Sequence, residues 1–198
     1  MLLREVDQIP DAALPLDACK AHLRLGVGFS DDGGQDGLIL RYLRAAISTV
    51  EARTSKVLLE RDFRMRLSAW KDAEAQSLPV APVTAILSVA VVGRDGTATM
   101  VELSRYRLEQ DLHRPTLRPT GWTLPSAPAG GAVEVEFRAG FGPDWQAVPS
   151  DLAHAVMLLT AQYHEYRQPG DARGQAMPFD VAELLGRWRV VRGFGART

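Results

Sequence analysis

His164-Glu165 sits in a helical stretch and supplies the first two residue types of a zinc-protease helix. That chemistry needs a second histidine four residues on, so that two imidazoles share one helix face and hold the metal. Position 168 is Gln168, and the two-ligand geometry is missing. The ordinary reading is a surface histidine on an amphipathic helix. His22, His113 and His154 fall on three different expected elements, with no cysteine or ligand-spaced carboxylate beside them. Gly26-Val27-Gly28 and Gly33-Gly34 have the glycine density of a phosphate cradle, but no strand precedes them and no Gly-Lys-Ser/Thr follows. They read as a turn between helices. Asp31-Asp32 lacks the remaining ligand positions of a twelve-residue calcium loop and reads as a solvated acidic turn. Cys19 has only Lys20 beside it as an electropositive neighbour, too little to make a reactive thiolate. No serine occupies a nucleophile elbow. The expectation is a chain without a catalytic set, metal or cofactor.

The C-terminal end is different. From Arg187 to Thr198 there are four arginines and no acid, interleaved with Trp188, Val190, Val191 and Phe194. Burying four apolar side chains returns less free energy than fixing the backbone of residues 188–198 costs. The segment is therefore expected not to order on its own subunit without further hydrogen bonding. A partner surface, or an added strand on a neighbouring sheet, supplies that bonding; the competing reading is a frayed terminus. Trp188, Arg189, Val190, Val191, Arg192 and Phe194 are the candidate docking residues.

Composition bounds the function classes. With 46% hydrophobic residues the 198-residue chain is globular, either one domain or one core carrying an insert. A formal net charge of −1 provides no overall basic field for nucleic acid. A single cysteine excludes an internal disulfide and suits synthesis in a reducing cytoplasm. Arg4, Glu5 and Asp7 stand where a signal peptide needs an apolar run, and no stretch approaches 18 apolar residues, so neither export nor membrane insertion is expected. Arginine outnumbers lysine 20 to 3 and asparagine is absent, a bias of GC-rich coding that concerns source rather than activity.

The elements that position these residues alternate between two periods. Asp17 precedes a short helix that Gly26 is expected to end. Ile39, Leu43, Ile47 and Val50 recur at helical spacing, predicting a helix from about Gln35 to Ser55. After Glu60 the period drops to two. Phe63, Met65 and Leu67 alternate with Arg64, Arg66 and Ser68, and Val133, Val135 and Phe137 with Glu134, Glu136 and Arg138. Between them lie a strand over Ile86–Val92, a turn at Arg94-Asp95-Gly96, a hairpin partner over Thr99–Leu103, and short strands at Tyr106–Glu109 and Thr116–Leu117. The stretch from Glu60 to Gly140 has ten acids and ten Lys/Arg residues, so it carries no net field. Helical spacing returns at Leu152, Val156, Leu159, Tyr163 and Tyr166, with Ser150 as expected N-cap and an end near Arg167. Pro178 then opens a last short helix through Trp188.

In order and spacing these segments resemble the phage head–tail connector (adaptor) proteins, in the longer form with a β insert between the helices. The resemblance rests on LDACKAHLRL (Leu16 to Leu25) followed by Asp31-Asp32, on YLRAAISTVEARTS (Tyr42 to Ser55), and on LPVAPV (Leu78 to Val83). It continues through RDG (Arg94 to Gly96), FRAGFG (Phe137 to Gly142), VPSDLAHAVMLLTAQYHEYR (Val148 to Arg167) and the segment Pro178 to Arg189. Each motif is a structural commonplace; the order carries the likeness. With the arginine-rich composition, the chain is also similar to adaptors of alphaproteobacterial gene transfer agents, which are domesticated phage-like particles.

The resemblance implies an α+β fold: a small four-helix core, the helical connector fold, interrupted by a small antiparallel β insert and ending in an extended C-terminal tail. Residues 1–59 and 141–188 would form the core, 60–140 the insert and 189–198 the docking tail. It implies a ring of about twelve copies under the portal protein, in the particle neck, extending the DNA channel and meeting a stopper or tail-completion protein on its other side. DNA would be touched only in passing, with no membrane contact and assembly in the bacterial cytoplasm. Tyr42, Arg53, Tyr163 and Arg167 are the expected contacts between subunits. Two other readings stay open: an enzyme with an unrecognised site, and a nucleic-acid module built on the arginine tail, whose affinity would fall steeply with salt.

Overall fold

The computed structural model describes residues 1–25, 35–166 and 177–189. The chain divides into two compact units, Met1–Ile9 with Leu59–Pro143, and Pro10–Leu58 with Asp144 onward. The fold is α+β, with four α-helices and antiparallel sheets among the described residues.

The first unit holds the strands β1 (Leu2–Glu5), β2 (Arg61–Leu67), β3 (Gln76–Ser77), β4 (Val83–Val92), β5 (Ala98–Met100), β6 (Tyr106–Glu109), β7 (Thr116–Pro119) and β8 (Ala132–Ala139). Five form an antiparallel sheet in the order β1-β2-β8-β4-β5, and three a smaller sheet in the order β3-β7-β6. β8 is central in the larger sheet because its alternation matches that of β2 residue for residue. Phe63 lies opposite Phe137, Met65 opposite Val135 and Leu67 opposite Val133, and all six are buried. The Phe63 and Phe137 rings stack with centroids 5.7 Å apart. On the opposite face the same register sets Asp62 against Arg138, Arg64 against Glu136 and Arg66 against Glu134. Their ion pairs close at 2.7, 2.6 and 2.5 Å. Cross-strand pairing thus occurs on both faces, apolar on one and ionic on the other. Arg61 is the exception in the pattern: it is buried on the apolar side, lies 5.1 Å over Phe63 and reaches Glu5 at 2.9 Å.

β1 was not expected. Its LLRE sequence has no alternation, yet it pairs with β2, Leu3 opposite Met65 and Arg4 opposite Arg64. Residues 1–9 therefore belong with the strands, whereas the sequence pattern placed residues 1–59 in the helical core; only the β2 edge selects them. β4 begins three residues earlier than expected. Register shifts between Val83 and Ala85 and between Ile86 and Ser88 break the alternation that would have revealed its start. The turn at Arg94-Asp95-Gly96 is as expected, with Gly96 at φ +84°. Asp95 accepts the Thr97 N–H at 3.0 Å and the Thr97 hydroxyl at 2.9 Å. Gly140 permits a close approach: a Cβ there would lie 2.4 Å from the Glu60 Cα.

The second unit holds α1 (Leu16–His22), α2 (Asp36–Thr54), α3 (Ser150–Glu165) and α4 (Phe179–Gly186). The stripe predicted on α2 is its buried face: Ile39, Leu43, Ala46, Ile47 and Val50 are each at most 2% exposed. Leu152, Ala155, Val156 and Leu159 of α3 meet it, and Val181 and Leu185 of α4 close the core. Prolines open three of these helices, Pro15, Pro149 and Pro178 taking the cap positions with no side-chain cap bond. The expected caps Asp17 and Ser150 sit inside the first turn instead. Proline fixes its own φ and disfavours helical backbone at the residue before it, so the chain enters the helix just after it. α1 ends at Leu23 with Arg24 at φ +53° and the Leu25 N–H donating to the Lys20 carbonyl, a left-handed closure placed before Gly26.

Candidate functional site

Of the residues singled out at the C-terminal end, Trp188 lies at the first turn of α3, with Arg187 beside it. Asp151 stands there, its carboxylate 18% exposed, where the helix dipole favours negative charge. Its Oδ1 accepts the Leu152 N–H at 3.0 Å. Its Oδ2 accepts the Trp188 indole Nε1–H at 2.7 Å and lies 2.9 Å from the Arg187 Nε. The Arg187 guanidinium covers the Trp188 ring at 4.8 Å, completing a triangle of charge-assisted bonds and cation–π contact. The Trp188 and Arg189 N–H groups donate to the Leu185 and Gly186 carbonyls, extending α4 by one tightened turn.

Trp188, named above both as the end of the helical core and as a candidate docking residue, is only 6% exposed and packs into its own subunit. A buried indole needs an acceptor for its N–H, and Asp151 supplies one that no local pattern around Trp188 reveals. Arg189 is exposed. Val190, Val191, Arg192 and Phe194 lie outside the described residues, as does Arg167.

Of the expected subunit contacts, Arg53 is exposed in the last turn of α2. Tyr42 and Tyr163 are half-buried and engaged within the unit. The Tyr163 hydroxyl lies 3.0 Å from the Thr49 hydroxyl, and the Tyr42 ring meets His164 edge-on at 6.2 Å. Both belong to the α2–α3 seam. Helical spacing marks a residue's face but cannot say which helix covers it.

The candidates for chemistry are dispersed. Cys19 is fully buried, and burial pushes its thiol up to about 11, so the sulfur stays protonated near neutral pH. His164 faces Tyr42, while His22 and His154 meet edge-on at 6.5 Å. Among the described residues no three His, Cys, Asp or Glu side chains gather as metal ligands. A shallow groove of about 350 Å³ in the strand-rich unit is lined by Val83, Thr84, Gln110, Leu112 and Phe141. Gln110 is tied there to the Thr84 carbonyl at 3.3 Å, the Thr84 hydroxyl donates to Glu60 at 3.0 Å, and Asp111, also in the lining, accepts the His113 and Arg114 N–H groups. No described helix is long and apolar enough to cross a membrane. What the site does is hold Arg187 and Trp188 against the start of α3.

Comparison with known proteins follows from this geometry. The sequence profile of the phage gp6-like head–tail connector proteins matches residues 14–95. Among solved structures, a chain in the neck of an empty gene transfer agent particle, computed with C6 symmetry, superposes with a TM-score of 0.90 and 47% identity over 100% of both chains. A chain in the virion of a native gene transfer agent particle gives 0.88 at 47% identity, also over 100% of both. A chain in the neck of the native particle, computed with C12 symmetry, gives 0.86 at 44% identity with the same coverage. No curated protein matches the chain.

Proposed function

The chain belongs to the phage head–tail connector family, and from that premise we propose that it is a structural adaptor subunit in the neck of a gene-transfer-agent particle. The observation that carries the reading is its agreement over the whole length with a neck chain at 47% identity. In this reading copies form a ring, a geometry supported by the C6 and C12 symmetries of the similar necks. The ring joins the portal protein to a stopper or tail-completion protein, extends the DNA channel, and assembles in the bacterial cytoplasm. Arg189 and residues 190–198 dock on the portal. Arg53 and Arg167 contact neighbouring subunits, with Tyr42 and Tyr163 stiffening the helices that carry such contacts. Repeating one weak docking around a ring gives avidity without a tight site in any subunit.

Charge supports a conduit. Net charge is −1, and Arg64, Arg66 and Arg138 are each held by a carboxylate, so DNA in passage meets no large cationic field. Connector membership argues for a structural role over an enzymatic one. The test is deletion of residues 190–198, followed by co-purification with the portal protein and electron microscopy of particle necks. The truncated chain is expected to lose the portal and leave necks without the ring. Full portal binding and normal necks would remove the docking role.

A further inference from the structure

We infer that Asp151 is the positioning residue of the docking segment, holding its root through Trp188 and Arg187; the inference rests on the docking role proposed above for residues 190–198. Val181 and Leu185, both 0% exposed, already bind α4 to the core. The carboxylate acts one step beyond that helix, on the two residues that lead into the segment. Its two oxygens take the Leu152 N–H, the indole N–H and the Arg187 Nε–H, so one side chain ties the start of α3 to the chain's exit point. Arg187 is 71% exposed and buries little surface, yet it is doubly engaged, by Asp151 and by the Trp188 ring. Its bonds hold position more than they add core.

The consequence is preorganisation. Apparent affinity equals intrinsic affinity scaled by the fraction of molecules in the competent arrangement. A latched root raises that fraction by fixing Arg187 and Trp188, the two residues where the segment begins. A charge-assisted hydrogen bond is worth on the order of tenfold in such an equilibrium, and every subunit of a ring carries the same latch.

The experiment compares full-length chains carrying Asp151→Asn, Trp188→Phe or Arg187→Gln with the 190–198 deletion, each against the portal protein. Asn keeps an acceptor for the indole but loses the charge that holds Arg187. Phe keeps the packing without the donor. Gln at the exposed position 187 leaves the core untouched and so guards against a variant that fails to fold. Portal affinity and the rate of tryptic cleavage after Arg189 are read well below each unfolding midpoint, where every chain is folded. Opening the latch is expected to speed cleavage, and to weaken portal binding, by on the order of tenfold in D151N, with R187Q changing both in the same direction. If D151N and R187Q lower only the unfolding midpoint, leaving cleavage and affinity unchanged, Asp151 is a stability element and the inference is overturned. If the deletion loses the portal while those two variants retain full affinity, the latch fails and the docking reading stands. If the deleted chain binds normally, the docking reading itself has failed.

Discussion

Replacing Trp188 by alanine separates a core residue from a docking residue. Trp188 is 6% exposed, its indole N–H is bonded to Asp151, and its ring lies under Arg187. Truncating a buried aromatic to alanine costs about 3–5 kcal/mol, through lost transfer free energy and the cavity left behind. Trp188 follows the last helix, where the chain can relax into the space, so the lower end, about 3 kcal/mol, applies. Asp151 keeps Arg187 and the Leu152 N–H, and its partly exposed carboxylate can be rehydrated, so no large unpaired-charge penalty is added. With a urea slope of about 2 kcal/mol/M, the unfolding midpoint of the helical unit moves down by about 1.5 M. The assay is equilibrium urea unfolding of the isolated full-length chain followed by far-ultraviolet circular dichroism, with no partner present. A side chain used only for docking would leave that curve in place. A loss below about 0.5 kcal/mol, the level of an ordinary surface substitution, would refute the assignment of Trp188 to the core.

Phe137→Ala removes the central ring of the larger sheet and its stacked partner contact, and is expected to cost the strand-rich unit about 4 kcal/mol in denaturant unfolding. By contrast, a double-mutant cycle on Arg64 and Glu136 should yield a coupling of about 0.5 kcal/mol that shrinks in salt, because both side chains are substantially solvated. Cys19 should react with a thiol reagent at pH 8 only after denaturation. Its thiol is raised in the fold from an ordinary 9.0 to about 11. Its contribution to stability is therefore complete below pH 9 and is lost as pH rises toward 11. Comparing the pH dependence of stability with that of Cys19→Ala isolates this contribution, and coincident alkaline limbs would contradict it.

Much of the fold was legible because its period is local. The α2 stripe, the alternation of β2 and β8 and the Asp95-Gly96 turn each announce themselves within a few residues, and each lies where expected. α1 and α3 start two residues and one residue earlier than caps at Asp17 and Ser150 would allow, because Pro15 and Pro149 take the cap positions. The connector family was legible as an order of segments, although no single motif specified it. The candidate site was legible only in part: the unusual C-terminal composition marked the region, but it could not show that Asp151 receives the Trp188 indole.

By itself, the sequence determined the periodic helices and the alternating strands β2 and β8, the lack of a ligand-spaced metal motif, and a near-neutral balance of charge. Those are short-range or additive properties, set by side-chain period and by simple sums. Tertiary structure decided that Leu2–Glu5 becomes the edge strand beside β2, that Tyr163 meets Thr49 across the helix seam, and that Asp151 takes the indole of Trp188. Each joins residues 37 or more positions apart in the chain. Such pairings depend on which complementary surfaces come together when the core closes, and neither partner's neighbourhood in the sequence records the other.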